Sequence, residues 1–250
     1  MWRPLLSGIQ FLTIIPCGPT QPLDAQRTLP LFPLCGLFVG GLLLLVDFGA
    51  SLLWEKAAVA VVDVVALALI SGALHLDGLA DTADGLYGQR SPEKSLAIMK
   101  DSRIGAMGMV TVVCFLAIKW AGLSGLHTHR PLFLLFVPAV ARASVLFGVR
   151  YLPYGRPEGG TGHTFFQKAP RLQDYWALAA VLLAALLFAG WAGVWMVVGF
   201  AAVTTGVLVY YRIKINCITG DMLGALIEIT ESVLFLILAA ADGPGSYALR

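Results

Sequence analysis

Charge is scarce in this chain. Asp, Glu, Lys and Arg make up 13% of its 250 residues, whereas an ordinary soluble domain carries about 25%. A water-facing surface on all sides is thereby excluded. The 4 cysteines, Cys17, Cys35, Cys114 and Cys217, lie far apart without a Cys-x-x-Cys pair, which argues against a disulfide framework or a zinc site and leaves them as small apolar residues. No dense basic run occurs, and a formal charge of +2 with a pI near 8.4 is too mild for a nucleic-acid partner. Also missing are a G-x-x-x-x-G-K-S/T loop, a G-x-G-x-x-G turn after a strand, a G-x-S-x-G elbow and an H-E-x-x-H pair. A nucleotide, if bound, must therefore be held through a metal and cationic side chains. No fixed-period repeat or low-complexity segment is present.

What is abundant is apolar: hydrophobic residues make up 58% and the mean hydropathy is +0.80. Lipid is the solvent for most of such a chain. A span needs roughly 20 mainly apolar residues, and windows of that kind fall at about 30–54, 57–76, 105–126, 131–149, 174–190, 193–211 and 222–240. The expected fold is all-α, a polytopic bundle of about seven transmembrane helices forming one catalytic domain over 1–250. The opening "MWRPLLSGIQFLTIIPCG" could pass for a signal peptide or lipoprotein site. Pro16 directly before Cys17 and the lack of a small-x-small cleavage site favour an interfacial or re-entrant helix instead.

Seven spans put the termini on opposite sides. The N-terminal side receives Arg3, Arg27, Arg90, Lys94, Lys100, Arg103, Arg150, Arg156, Lys168, Arg171, Arg212 and Lys214, and the other side only Lys56, Arg130 and Arg250. By the positive-inside rule the basic side, with the N-terminus, faces the cytoplasm. Two long loops lie there, at about 77–104 and 150–171. In the first, Ser91 as N-cap with Pro92 and Glu93 behind it predicts a short helix along the membrane face. The second mixes glycine, proline and basic residues as a structured loop does, and its glycines could let backbone amides approach a phosphate.

Three constellations could carry chemistry. In "HLDGLADTADGL", helical geometry puts Asp77, Asp81 and Asp84 at i, i+4 and i+7 on one face, with Gly78 and Gly85 beside them. Three like charges repel, and a divalent cation relieves that; hard oxygen ligands suit magnesium, which shares its coordination with water and substrate phosphates. The bland alternative is a solvated turn, which needs neither the spacing nor the apolar helix leading in. His75 faces away from the trio on a continuous helix, and only a bend at Gly78 would bring it in; a structural hydrogen-bonding role is the competing one. "IMKDSRIGAMG" places Lys100 and Arg103 on one face with Asp101 between them in sequence. A cationic pair opposite a metal cluster is what a diphosphate requires, though anchoring of the third span needs only positive charge. "CITGDMLGALIEITE" opens the last span with Asp221 and carries Glu228 and Glu231 deeper. Carboxylates inside a span are costly and usually face a partner in the bundle interior. Arg142, within the fourth span, is such a partner or a phosphate ligand, and Asp47 and Asp63 are isolated.

These residues resemble the cobalamin synthases, the adenosylcobinamide-GDP ribazoletransferases, through "HLDGLADTADG", "IMKDSRIGAMG" and "TGDMLGALIEITE". Weaker agreement lies in "FLTIIP", "FPLCGLFVGG", Arg142 and the Gly160-x-Gly162 stretch followed by Phe165. The likeness runs from Phe11 to Glu231 with the motifs in the family's order. It implies a cytoplasmic (inner) membrane enzyme that joins adenosylcobinamide-GDP to α-ribazole, or its 5′-phosphate, and releases GMP with Mg2+ present. Mapped onto this sequence, Asp77, Asp81, Asp84 and Asp221 would hold the metal, and Asp84 or His75 would take the hydroxyl proton. Lys100 and Arg103 would clamp the diphosphate, with Asp101, Arg142, Gly160, Gly162, Thr219, Glu228 and Glu231 also on the substrate side. Loops 85–104 and 150–171 would form the vestibule for the corrinoid.

Asp81 to Gly85, "DTADG", also copies the opening of the membrane CDP-alcohol phosphotransferases. That likeness fails at Gly88, Gln89 and Arg90, where those enzymes continue with Ala-Arg and further aspartates. A transporter, the non-enzymatic alternative, would spread its polar residues through the membrane depth, whereas most of them here cluster at one face. Gly36, Gly40 and Gly41 could pack helices within one chain or between the copies of a homo-oligomer.

Overall fold

The computed structural model describes residues 2–18, 23–156, 159–160 and 162–242, so Arg250 lies outside the described residues. Among the described residues the regular elements are helices: α1 (Trp2–Leu12), α2 (Ala25–Thr28), α3 (Phe32–Ser51), α4 (Lys56–Ile70), α5 (Leu74–Leu86), α6 (Pro92–Ile98), α7 (Ala106–Gly125), α8 (Arg130–Tyr151), α9 (Trp176–Ala189), α10 (Trp191–Lys214) and α11 (Gly220–Asp242). A 3-10 turn, Leu29–Leu31, fuses α2 to α3. Among the described residues 6 helices are long and apolar enough to cross a membrane, or 7 if α4 and α5 are one bent span. The chain is a polytopic membrane helix bundle, as the apolar windows predict.

In lipid, apolar burial drives helices together only weakly, so close backbone approach and polar contacts decide the packing. α8 and α11 are the inner helices and are buried along most of their length, while Leu183, Leu187, Phe188, Trp195 and Val198 of α9 and α10 point outward. Gly36 and Gly40, one turn apart on α3, meet the backbone of α8: a Cβ would lie 2.4 Å from the Pro138 carbonyl oxygen at Gly36 and 2.4 Å from that of Leu135 at Gly40. These glycines therefore serve packing inside one chain. Gly36→Val is expected to lower stability by about 2–3 kcal/mol or more through overpacking, read as a fall in melting temperature in detergent.

The expected span over 57–76 is broken. α4 ends at Ile70, and its axis and that of α5 differ by 87°. Gly72 and Ala73 both take positive φ, 59° and 58°, so the backbone turns left-handed and cannot continue the helix. The Ala73 N–H donates to the Ala68 carbonyl, 2.8 Å, and the Ser71 hydroxyl to that of Leu67, 3.1 Å, satisfying the freed end of α4. The Ser71-Gly72 pair inside an apolar window was the signal for this break. From it α5 runs beside α11 in the opposite direction, Gly78 lying against Asp221 and His75 against Gly224. Residues 77–84 are thus helical, and α6 begins where Ser91 accepts the Lys94 N–H, 3.4 Å.

The end of the bundle where α3, α7, α9 and α11 begin carries most of the cations. The opposite end is closed by paired charges. Arg130 at the start of α8 binds Asp47 of α3, 2.6 Å, and Asp63 of α4, 2.5 Å, which accounts for two carboxylates that stand isolated in the sequence. Asp242 accepts the N–H groups of His127, 2.7 Å, and His129, 3.1 Å, and the His129 ring at 2.7 Å, tying the last turn of α11 to the start of α8.

Candidate active site

α11 starts at the basic end on a built cap. The Thr219 hydroxyl accepts the Met222 N–H, 3.3 Å, while the Ile218 N–H donates to Pro153, 3.0 Å, and the Gly155 N–H to Ile218, 2.9 Å. Thr219 is thus occupied as a helix cap. Asp221 follows in the first turn, where the partial positive charge of the helix terminus favours a carboxylate. A Cβ on Gly78 would lie 2.5 Å from the Asp221 carbonyl oxygen, so glycine there is what lets α5 lie this close. Asp81 consequently has Asp77, Asp84 and Asp221 as its anionic neighbours and Arg156 as its cationic one.

Asp84 leaves the trio. Its carboxylate turns to the N-terminus of α7, where Oδ2 accepts the Gly105 N–H, 2.6 Å, and Oδ1 that of Gly108, 2.8 Å. Both oxygens fill backbone donors that a helix start leaves unpaired, which makes this carboxylate a structural cap. Asp84→Ala is expected to destabilise the protein by about 1–2 kcal/mol, checked by thermal unfolding in detergent. Among the described residues no three His, Cys, Asp or Glu side chains close a metal site by themselves. Magnesium does not require that: it is usually held by one or two carboxylates, with water and substrate phosphate completing the sphere. Asp77, exposed, and Asp81, half-buried, with Asp221 across from them, fit that pattern.

Arg156 belongs to this site and was missed as more than a loop cation. Its guanidinium donates to Asp221 Oδ2, 2.5 Å, and to the Met99 carbonyl, 3.1 Å, and its Nε is buried without a partner. Nothing in the string "LPYGRPEGG" marks it, because the contact depends on the 153–156 segment pairing with 218. Arg103 instead forms a two-pronged, solvent-exposed pair with Asp101, Nε–Oδ1 3.0 Å and Nη2–Oδ2 2.7 Å, which holds the Asp101 carboxyl down at about 2. Lys100 is exposed beside them at the end of α6. Gly160 takes a positive φ of 149°, and a Cβ on Gly162 would lie 3.3 Å from the Gly220 Cα, so the second loop lies against the start of α11.

Behind the carboxylates lies a cavity of about 270 Å3. Asp77, Asp221, Gly162 and Gly220 stand on one part of its wall, and Leu12, Val145, Leu223 and Ile227 supply apolar surface. Phe11, Phe32 and Phe165 form an aromatic corner with Phe165 edge-on to the other two, centroids 5.3 and 5.5 Å apart. His75 also lines it, 3% exposed, with Nε2 buried and unpartnered. The turn at Gly72 and Ala73, rather than a bend at Gly78, is what swings His75 into this wall.

The deeper charges pair with one another. Lys119 of α7 binds Glu228, 2.5 Å, and Glu231, 2.8 Å, and Arg142 of α8 binds Glu231, 3.1 Å, and the Pro138 carbonyl, 3.0 Å. Two cations thus balance two carboxylates, all four buried. Lys119 is the partner the sequence reading left out, although a lysine in the middle of an apolar span called for one. Arg142, Glu231 and Lys119 are the charged neighbours of His75, and Glu228 joins them through Lys119.

Comparison with known proteins decides the family. The family model described as cobalamin-5-phosphate synthase matches residues 4–239. This chain belongs to that family. Among curated members, the adenosylcobinamide-GDP ribazoletransferase of Roseiflexus sp. (strain RS-1) is 35% identical over 241 residues, covering 95% of this chain and 89% of the relative. That of Herpetosiphon aurantiacus is 35% identical over 246 residues, covering 96% and 97%. That of Pseudomonas putida (strain W619) is 37% identical over 253 residues, covering 95% and 99%. No solved structure matches the chain. The family match takes in the whole of this site, from the aromatic corner at Phe11 to the buried Glu231.

Proposed function

We propose that this member of the cobalamin synthase family assembles the nucleotide loop of cobalamin. In this reaction the cobinamide phosphate of adenosylcobinamide-GDP passes to α-ribazole or its 5′-phosphate, and GMP leaves. The observation that carries the reading is the meeting of Asp81 and Arg156 with Asp77 and Asp221, the latter two on the wall of an aromatic-lined cavity, in a chain whose curated relatives are named for this transfer. The site lies at the basic end of the bundle, which by the positive-inside rule faces the cytoplasm from the inner membrane.

The reaction forms one P–O bond, from a ribazole hydroxyl oxygen to the phosphorus on the cobinamide arm, and breaks the P–O bond to the GMP phosphate. One or two of Asp77, Asp81 and Asp221, with water and substrate phosphate, would hold magnesium, which would supply neutralisation of the diphosphate and of the charge growing on the leaving group. Arg156 would orient the same phosphates, with Lys100 and Arg103 at the exposed rim. The hydroxyl proton needs an acceptor. His75 is better placed than Asp84, because it lines the cavity and its Nε2 has no partner, while both Asp84 oxygens already accept N–H groups. Gly160 and Gly162 would bring loop backbone to the phosphates.

The test is GMP release from adenosylcobinamide-GDP and α-ribazole by the purified, detergent-solubilised protein, with magnesium and with EDTA. Metal-dependent release is expected. A folded protein that yields no GMP would overturn the proposal and direct the search to CDP-alcohol substrates, then to transport in sealed vesicles.

A further inference from the structure

We propose that the cavity behind the carboxylates is the acceptor's subsite: the flat aromatic base seats among Phe11, Phe32 and Phe165, and the ribose sits beside His75 and the mouth. This rests on the reaction proposed above and assigns one of its substrates a place.

Size selects the occupant first. At about 270 Å3 the cavity lies at the lower limit of small-molecule sites, roughly 300–1,000 Å3, so a corrinoid cannot enter and a bicyclic base can. Charge selects next. Among the described residues no Lys or Arg lines the space, so nothing in its interior pairs with a phosphate and the part of the guest seated there is uncharged. The rings give the shape. Phe165 stands at 63° to Phe11 and 70° to Phe32, while Phe11 and Phe32 lie 22° apart with centroids at 6.2 Å, so the three form one packed aromatic wall whose part-exposed member, Phe11, is the face a flat guest meets first.

Besides the two aspartates at the mouth, His75 is the polar side chain of this recess, and its buried Nε2 has no hydrogen-bond partner. A buried ring nitrogen without a partner is costly, and a lipid tail or detergent chain could not relieve it. A ribose hydroxyl can. With the base held in the aromatic corner, that hydroxyl would point back toward Asp77 and Asp221, where the phosphorus is to be attacked.

The experiment uses the full chain in detergent. Equilibrium dialysis with α-ribazole alone is compared for wild type, Phe165→Leu and Phe11→Leu, alongside the KM values for α-ribazole and for adenosylcobinamide-GDP. Loss of one stacking ring is expected to weaken α-ribazole binding and raise its KM about 10-fold, with the donor KM within 2-fold. Phe11 is only partly buried, so its variant is the safer one for folding should Phe165→Leu prove unstable. Unchanged α-ribazole binding in a folded variant, no binding to wild type, or equal rises in both KM values would overturn the subsite. Binding needs no turnover, so a wild type that binds α-ribazole through these rings yet releases no GMP would sink the proposed reaction and leave the subsite standing.

Discussion

Asp81→Asn is expected to cut GMP release about 1,000-fold while leaving the melting temperature unchanged or slightly higher. The two halves of this outcome have separate causes. Asp81 lies among Asp77, Asp84 and Asp221, so removing its charge relieves repulsion. It also anchors nothing among the described residues, since the hydrogen bonds at this end go to Asp84 from Gly105 and Gly108 and to Asp221 from Arg156. A carboxylate retained where it costs stability and holds no structure is best explained by a ligand. The measurement is initial-rate GMP release at saturating substrate and magnesium, with thermal unfolding on the same preparation. Activity within 10-fold of wild type would remove Asp81 from the metal site. Asp221→Asn would be a poorer test, because it also frees Arg156.

The spans were legible because solvent preference is written locally, residue by residue. The windows at 105–126, 131–149 and 222–240 correspond to Ala106–Gly125, Arg130–Tyr151 and Gly220–Asp242. The aspartate spacing was legible for the same reason, since i, i+4 and i+7 needs nothing beyond one helix. Partners across the fold were not. Asp84 belongs with Asp77 and Asp81 by spacing, yet its side chain is claimed by α7, whose first N–H groups reach it from Gly105 and Gly108. A Cβ at either glycine would strike that carboxylate, at 2.3 and 2.4 Å, so the motif "RIGAMG" encodes the approach of α7 to Asp84. Arg156, likewise, becomes a site residue only through a loop pairing some 60 residues away in sequence with the start of α11. His75 needed the break at Gly72 and Ala73, a conformational feature that an averaged hydropathy window erases.

Lys119→Met should be the most destabilising single change outside the aspartate site, costing about 3–5 kcal/mol. The side chain would keep its length and lose its charge, leaving Glu228 and Glu231 buried with Arg142 as their only cation. The uncompensated carboxylate, more than the lost hydrogen bonds, carries the cost. Lys119→Met with Glu228→Met restores the balance, since Arg142 and Glu231 remain paired, and most of the stability should return. Unfolding of the single and double variants in mild detergent checks this, and a single variant within 1 kcal/mol of wild type would show that the buried charges are not bound as a balanced set. The cluster joins α7, α8 and α11 behind His75, while Asp84 fixes the other end of α7 beside Asp81. The same helices thus carry both the wall of the acceptor cavity and the carboxylates at its mouth. A double variant that folds yet shows a raised KM for α-ribazole, with the donor KM unchanged, would mean that the charges also set the position of that wall.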